Sequence, residues 1–381
     1  MELNEILTVA VKARGSDIHI KSGLPPVVRI DGKLRPIPNA PRMTPDKMQL
    51  IAYSIMNEKQ KNIFGEKLEM DLSYGVPGLG RFRVSVYMQR GTIGMVLRSI
   101  PYNIPSLDSL NLPPVLKKLA QEERGLILVT GTTGSGKSTT LAAIIDYVNQ
   151  NRTCNIITVE DPVEYLHKDK KSIISQREIG FDTLSFANAL RGALRQDPDV
   201  ILVGEMRDME TIETALTAAE TGHLVMSTLH TLDAAETINR IISVFPPFQQ
   251  RQIRIQLSSV IKGVISQRLV PRADARGRVP AVEVMIATNR IRECIDDKDK
   301  TKQIHDAIAQ GYVSYGMQTF DQSLMLLYTK QLITYEEALR QSTNPDDFAL
   351  KVSGISSTSD STWDKFSNDE EEPEQVPIDK F

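Results

Sequence analysis

Residues Gly131-Thr132-Thr133-Gly134-Ser135-Gly136-Lys137-Ser138 fill every fixed position of the pattern G-x-x-x-x-G-K-[ST]. Glycines at that spacing let successive backbone N–H groups turn inward on phosphate, and a following helix N-terminus adds partial positive charge. Lys137 would reach the β- and γ-phosphates of ATP, Ser138 would ligate Mg²⁺, and Thr139 completes the binding run. Context strengthens the reading: Leu126 to Val129 is a buried-strand run and Thr139 to Val148 has a helix pattern.

Phosphate chemistry also needs carboxylates at neighbouring strand ends. Asp199-Val200-Ile201-Leu202-Val203-Gly204-Glu205 is an apolar run ending in Glu205, a candidate for orienting or deprotonating water. Ile156 to Val159 runs into Glu160-Asp161-Pro162-Val163-Glu164. Three carboxylates so close repel unless a cation offsets them, so this strand end reads as a metal-side or water-side cluster, with a polar turn around Pro162 as the alternative. His223 and His230 flank a third apolar run. Seven residues of strand separate them by roughly 20 Å, at about 3.3 Å per residue, too far to share a metal. His230, among Ser227, Thr228 and Thr231, suits a γ-phosphate sensor, whereas His223 reads equally well as a structural histidine. An arginine finger could come from Arg81, Arg83, Arg98, Arg195, Arg207 or Arg240, and the sequence does not choose among them.

Around these residues the chain has 381 positions, 41% of them hydrophobic, enough for two packed domains. We expect a mixed N-terminal domain over 1–100, a proline-rich linker over 101–114, an α/β domain over 115–352 with a mostly parallel sheet, and a disordered acidic tail over 353–381. In the first domain, Asp17 to Ile20, Val27 to Ile30 and Lys33 to Ile37 read as strands, with a turn at Asp31-Gly32. Thr44-Pro45 starts a helix with apolar positions Leu50, Ile51 and Ile55. Arg81 to Gln89 alternates, placing Arg81 and Arg83 opposite Phe82 and Val84.

Net charge is −3, with Lys+Arg 45 against Asp+Glu 48, which disfavours a nucleic-acid partner. Cys154 and Cys294 form no zinc or disulfide pattern. No apolar run approaches the roughly 20 residues of a spanning helix, and the N-terminus reads as an amphipathic helix rather than a signal peptide. A cytoplasmic location is expected.

Four boxes in order carry a family resemblance: Gly131 to Ser138, Thr158 to Tyr165, Leu194-Arg195-Gln196-Asp197-Pro198-Asp199 through Gly204-Glu205-Met206-Arg207-Asp208, and Gly222 to Thr231. Together with Gly15 to His19 and Gly316 to Leu324, they resemble the type II/IV secretion ATPase superfamily and, within it, the PilT-type pilus retraction ATPases. The resemblance implies a PAS-like N-terminal domain, a RecA-like ATPase domain, and a homohexameric ring with ATP between the domains. It implies Glu205 as the Walker B glutamate, Glu160, Asp161 and Glu164 as the acidic box, and arginines such as Arg81 and Arg83 completing the site. It also implies an inner-membrane pilus platform protein and a second retraction ATPase as partners, and a place at the inner-membrane base of the pilus machine. One stretch departs from the family. Where PilT-type members usually carry Ala-Ile-Arg-Asn-Leu-Ile-Arg-Glu, this chain reads Ile286-Ala287-Thr288-Asn289-Arg290-Ile291-Arg292-Glu293, which should alter a packing surface rather than ATP chemistry. An accessory retraction motor, a related assembly ATPase, a nucleic-acid translocase and a non-hydrolysing scaffold are the competing readings.

Overall fold

The computed structural model describes residues 1–30, 32–100, 103–275 and 277–354. The expected acidic tail from 355 onward and the turn residue Asp31 lie outside them. The chain divides into two compact units. Met1–Ile104, Asp161–Lys168 and Glu178–Asp182 form the first; Pro105–Glu160, Asp169–Arg177 and the described residues from Thr183 form the second.

The first unit holds α1 (Leu3–Lys12), α2 (Pro45–Ser54) and α3 (Glu58–Lys67). Its strands are β1 (Asp17–Lys21), β2 (Val27–Ile30), β3 (Lys33–Pro36), β4 (Glu69–Val76), β5 (Gly80–Gln89) and β6 (Thr92–Ile100). They form one antiparallel sheet in the order β3-β2-β1-β6-β5-β4. Alternation along β5 buries Phe82, Val84 and Val86 against Ile6, Leu7, Met48, Ile51 and Phe64.

The helix start at Thr44 is as the residues predict, since its hydroxyl accepts from the Lys47 N–H with Pro45 in the first turn. The buried face of α2 is Met48, Ile51 and Ala52, however, and Leu50 is exposed. Where one helix was expected between β3 and the Arg81 strand, there are two. The second is opened by Asn57 and Gln60 in a reciprocal capping box.

The second unit is a seven-stranded sheet with helices. Its strands are β7 (Gly125–Thr130), β8 (Asn155–Glu160), β9 (Ile173–Glu178), β10 (Val200–Val203), β11 (Leu224–Leu229), β12 (Ile261–Pro271) and β13 (Arg278–Ile286), in the order β13-β12-β7-β11-β10-β8-β9. From β12 to β8 every neighbouring pair is parallel, while β13 returns antiparallel on β12. Near-continuous burial along β7, β10 and β11 is the signature of strands covered on both faces. The helices are α4 (Val115–Ala120), α5 (Lys137–Asn151), α6 (Phe186–Ala193), α7 (Met209–Glu220), α8 (Ala234–Ser243), α9 (Gln250–Val260) and α10 (Asn289–Asp296), followed by further helices to Val352. Parallel strands send their C-terminal ends to one edge of the sheet, which is where the candidate residues fall.

Candidate nucleotide site

β7 delivers the chain to Gly131, whose φ of +137° lies in the region that side chains avoid. A Cβ there would sit 2.4 Å from the Gln267 carbonyl and 2.6 Å from Ser135 Oγ, so only glycine fits. The loop ends at Gly136, also left-handed, and α5 begins at Lys137. Lys137 is buried, and its Nζ donates to the carbonyls of Gly131 at 2.8 Å and Thr132 at 3.0 Å. Ser135 Oγ is buried without a hydrogen-bond partner among the described residues. A buried hydroxyl in a loop at the positive end of a 15-residue helix suits a phosphate oxygen.

The sheet register sets the other candidates beside this loop. Thr130 of β7 is paired with Leu229 of β11, so Gly131 and His230 leave adjacent strands side by side. Val203 of β10 is paired with Ser227 on one side and Val159 on the other, which brings Gly204-Glu205 between the end of β11 and Glu160. Backbone bonds pin that turn: the Gly204 N–H donates to Val159 O at 2.7 Å, and Thr228 Oγ1 donates to Gly204 O at 2.7 Å. Glu205 Oε1 lies 2.5 Å from Arg207 Nε and 3.3 Å from His230 Nε2. Glu160 accepts from Thr158 Oγ1 at 2.6 Å and from Gln176 Nε2 at 3.1 Å. The loop, His230, Glu205 and Glu160 thus share one edge of one sheet.

Other predicted residues lie in the first unit or at the far end of β11. Asp161 and Glu164 belong to the first unit, as do Arg81 and Arg83. Arg81 is engaged there by Glu178 at 2.9 Å, and Arg83 lies 3.9 Å from Asp71 on the exposed face. His223 sits at the opposite end of β11, its Nδ1 2.9 Å from Ala218 O at the C-terminal end of α7, a structural position.

In the departing motif, Thr288 lies outside the helix as the N-cap of α10, accepting from the Ile291 N–H at 3.3 Å. Arg290 occupies an exposed site, not an apolar one, and hydrogen-bonds Gln310. The exchange therefore changes a cap and a surface pair.

A cavity of about 290 Å³ lies over the loop, lined by Gly131 to Ser135 with Leu232, Gln267, Arg268, Arg278 and Gln341. A second, of about 470 Å³, borders Gly136, Thr139 and Thr140 with Gln267, Asp274 and Arg278. Arg268 is fixed by stacking on Phe320, 4.0 Å from the ring centroid, and by donating to Gln341 O at 2.9 Å. Gln267, Arg268 and Arg278 carry no local motif and are found only once β12 and β13 are placed.

The profile of the family described as Type II/IV secretion system protein matches residues 1–340. The Pseudomonas aeruginosa type IV pilus retraction ATPase PilT is 48% identical over 348 residues, covering 91% of this chain and 100% of the relative. The type IV pilus ATPase PilU of the same organism is 42% identical, covering 92% of this chain and 91% of the relative. A crystal structure of the pilus retraction motor PilT with bound ADP superimposes with a TM-score of 0.84 at 50% identity, covering 91% of this chain and 98% of that one. With an antiparallel N-terminal sheet, a mostly parallel second sheet and a phosphate loop at its carboxyl edge, this chain belongs to the type II/IV secretion system protein family.

Proposed function

We propose that the protein is an ATP-hydrolysing motor that drives type IV pilus retraction and twitching motility. The observation that carries this reading is the row formed by the phosphate loop, His230 and Glu205 on adjacent strand ends, in a chain with the relatives named above. The loop N–H groups and Ser135 Oγ receive the phosphates, and Lys137 exchanges its two loop carbonyls for phosphate oxygens. Glu205 orients and deprotonates the attacking water, ADP departs, and His230 reports the γ-phosphate's presence to the segment that follows it.

Ser138 and Glu160 offer the hard oxygen donors that Mg²⁺ prefers. Among the described residues no three His, Cys, Asp or Glu form a ready-made metal cluster. When bound, Mg²⁺ neutralises charge developing on the phosphates. Asp161, Glu164, Arg81 and Arg83 extend the proposal to the first unit.

The assembly we propose is a homohexamer on the cytoplasmic side of the pilus machine, acting on an inner-membrane platform protein. Among the described residues no helix is long and apolar enough to cross a membrane. The Thr288 and Arg290 departures favour one alternative, an accessory motor working beside a second retraction ATPase. Steady-state ATP hydrolysis, with mass measured in the same buffer, tests the proposal on the parent chain and Glu205→Ala. Turnover by a hexamer that disappears in the variant supports it; a parent that binds ATP as a hexamer without hydrolysing it refutes the motor in favour of a gated scaffold.

A further inference from the structure

Three polar side chains stand abreast in the apolar sheet of the second unit. Thr130 ends β7, Ser266 is its register partner in β12, Glu283 is the partner of Ser266 in β13, and all three are buried. Thr130 Oγ1 donates to Ser266 Oγ at 3.1 Å, and Ser266 Oγ to Glu283 Oε1 at 3.4 Å. The same Oε1 accepts the backbone N–H of Ala234, the first residue of α8, at 2.8 Å. Val129, Ile265, Val282 and Val284 flank the row together with Gln267, and a carboxylate beside these apolar residues costs stability that an apolar residue would not.

Both ends of the row lead to the nucleotide site. Thr130 directly precedes Gly131, and Ala234 follows His230 by four residues. Between His230 and Ala234 the turn is stiff: the Leu232 N–H donates to Glu236 Oε2 at 2.7 Å, the Glu236 N–H to Asp233 Oδ1 at 2.7 Å, and Thr231 Oγ1 meets Thr237 Oγ1 at 2.7 Å. A shift of α8 at its first residue is therefore passed on to His230.

We propose that Glu283 is a positioning residue for ATP turnover, one carboxylate oxygen holding the start of the phosphate loop and the His230 segment in fixed relation. This rests on the ATPase reading above. Burial pushes the Glu283 carboxyl up to about 7, and Asp233 at the start of α8 raises it too. The Ala234 N–H, Arg268 on β12 and Ser266 act in the opposite direction. Near neutral pH the carboxylate therefore gains and loses its charge, and with it the strength of both hydrogen bonds it accepts.

The test is kcat and KM for ATP between pH 6 and 8, using the full chain with Glu283→Ala, Glu283→Gln and Ser266→Ala. At pH 8 we expect Glu283→Ala to lower kcat by about 10-fold while KM stays within about 2-fold. Glu283→Gln keeps the shape and an acceptor, so it recovers most of that loss, and the parent-to-glutamine ratio of kcat falls toward one as pH drops to 6. Ser266→Ala removes a single hydroxyl and tests the row even if Glu283→Ala does not fold. Glu283→Gln and Ser266→Ala matching the parent at every pH would overturn the inference, with the ATPase reading intact. A parent without turnover would overturn both, and is recognised by the parent alone.

Discussion

Arg81 Nη2 donates to Glu178 Oε2 at 2.9 Å, and the same carboxylate accepts from Ser73 Oγ at 2.6 Å through Oε1 and from the Val163 N–H at 3.3 Å. Glu178 is buried, so these donors take the place of water around its carboxylate. Within the first unit Arg81 is therefore committed, whereas Arg83 projects exposed from the same strand, 3.9 Å from Asp71.

The two arginines should separate experimentally. Arg81→Ala leaves a buried carboxylate short of its cation and should cost about 2 kcal/mol in urea unfolding, more than Ser73→Ala. Arg83→Ala should leave unfolding unchanged and, if it completes a neighbouring site in the ring, lower kcat. Equal stability of the Arg81 variant and the parent would refute the assignment.

The histidines should separate too. His230→Ala should lower turnover by about 10-fold or more with little change in KM, because it removes one of the two partners of Glu205 Oε1, the other being Arg207. His223→Ala loses the contact to Ala218 O and should cost about 1 kcal/mol of stability with ATP turnover retained. A reversed pattern in paired kinetics and thermal unfolding would exchange their roles.

Glu283 also makes stability depend on pH. Its carboxyl is raised from 4.5 to about 7 in the folded chain, so the fold binds a proton that the unfolded chain releases. The contribution is full below the unfolded value and is lost as pH rises through about 7. Relative to the parent, Glu283→Gln should gain stability between pH 5 and pH 8, by at most about 3 kcal/mol. Urea unfolding at the two pH values reads the sign directly, and a difference that shrinks at pH 8 would contradict it.

Thr288→Ala should destabilise α10 by about 1 kcal/mol, since it removes the cap on the Ile291 N–H. Thr288→Arg, which restores the residue common in the family, should show the same loss. Neither change should alter ATP turnover measured on the isolated protein.

Local chemistry was the legible part of this chain. The phosphate loop declares itself within eight residues, and Val200 to Val203 is strand as read, because an apolar run between turn residues leaves little choice. Glu205 and His230 could be placed at strand ends by the same logic, and the register then brought them together. What stayed hidden depends on distant partners. Nothing near Arg81 announces Glu178, 97 positions away, and Glu283 looks like one more acidic residue until β13 is laid against β12. Leu50 misled because hydropathy alone does not say which side of a short helix faces the core; Met48, Ile51 and Ala52 took that side. The helix α3 did have a local signature, the Asn57 and Gln60 capping box.

The lysine that should greet the nucleotide is already spoken for by its own loop. A phosphate oxygen that replaces the Gly131 or Thr132 carbonyl on Lys137 Nζ does so at a toll of roughly 1 kcal/mol per hydrogen bond exchanged. That cost belongs to the empty loop, so it is the same for every nucleotide whose phosphate displaces the carbonyls. The loop's self-contact should therefore loosen ADP and ATP alike. In a machine that must cycle, a binding loop that is its own weak competitor favours turnover over tightness.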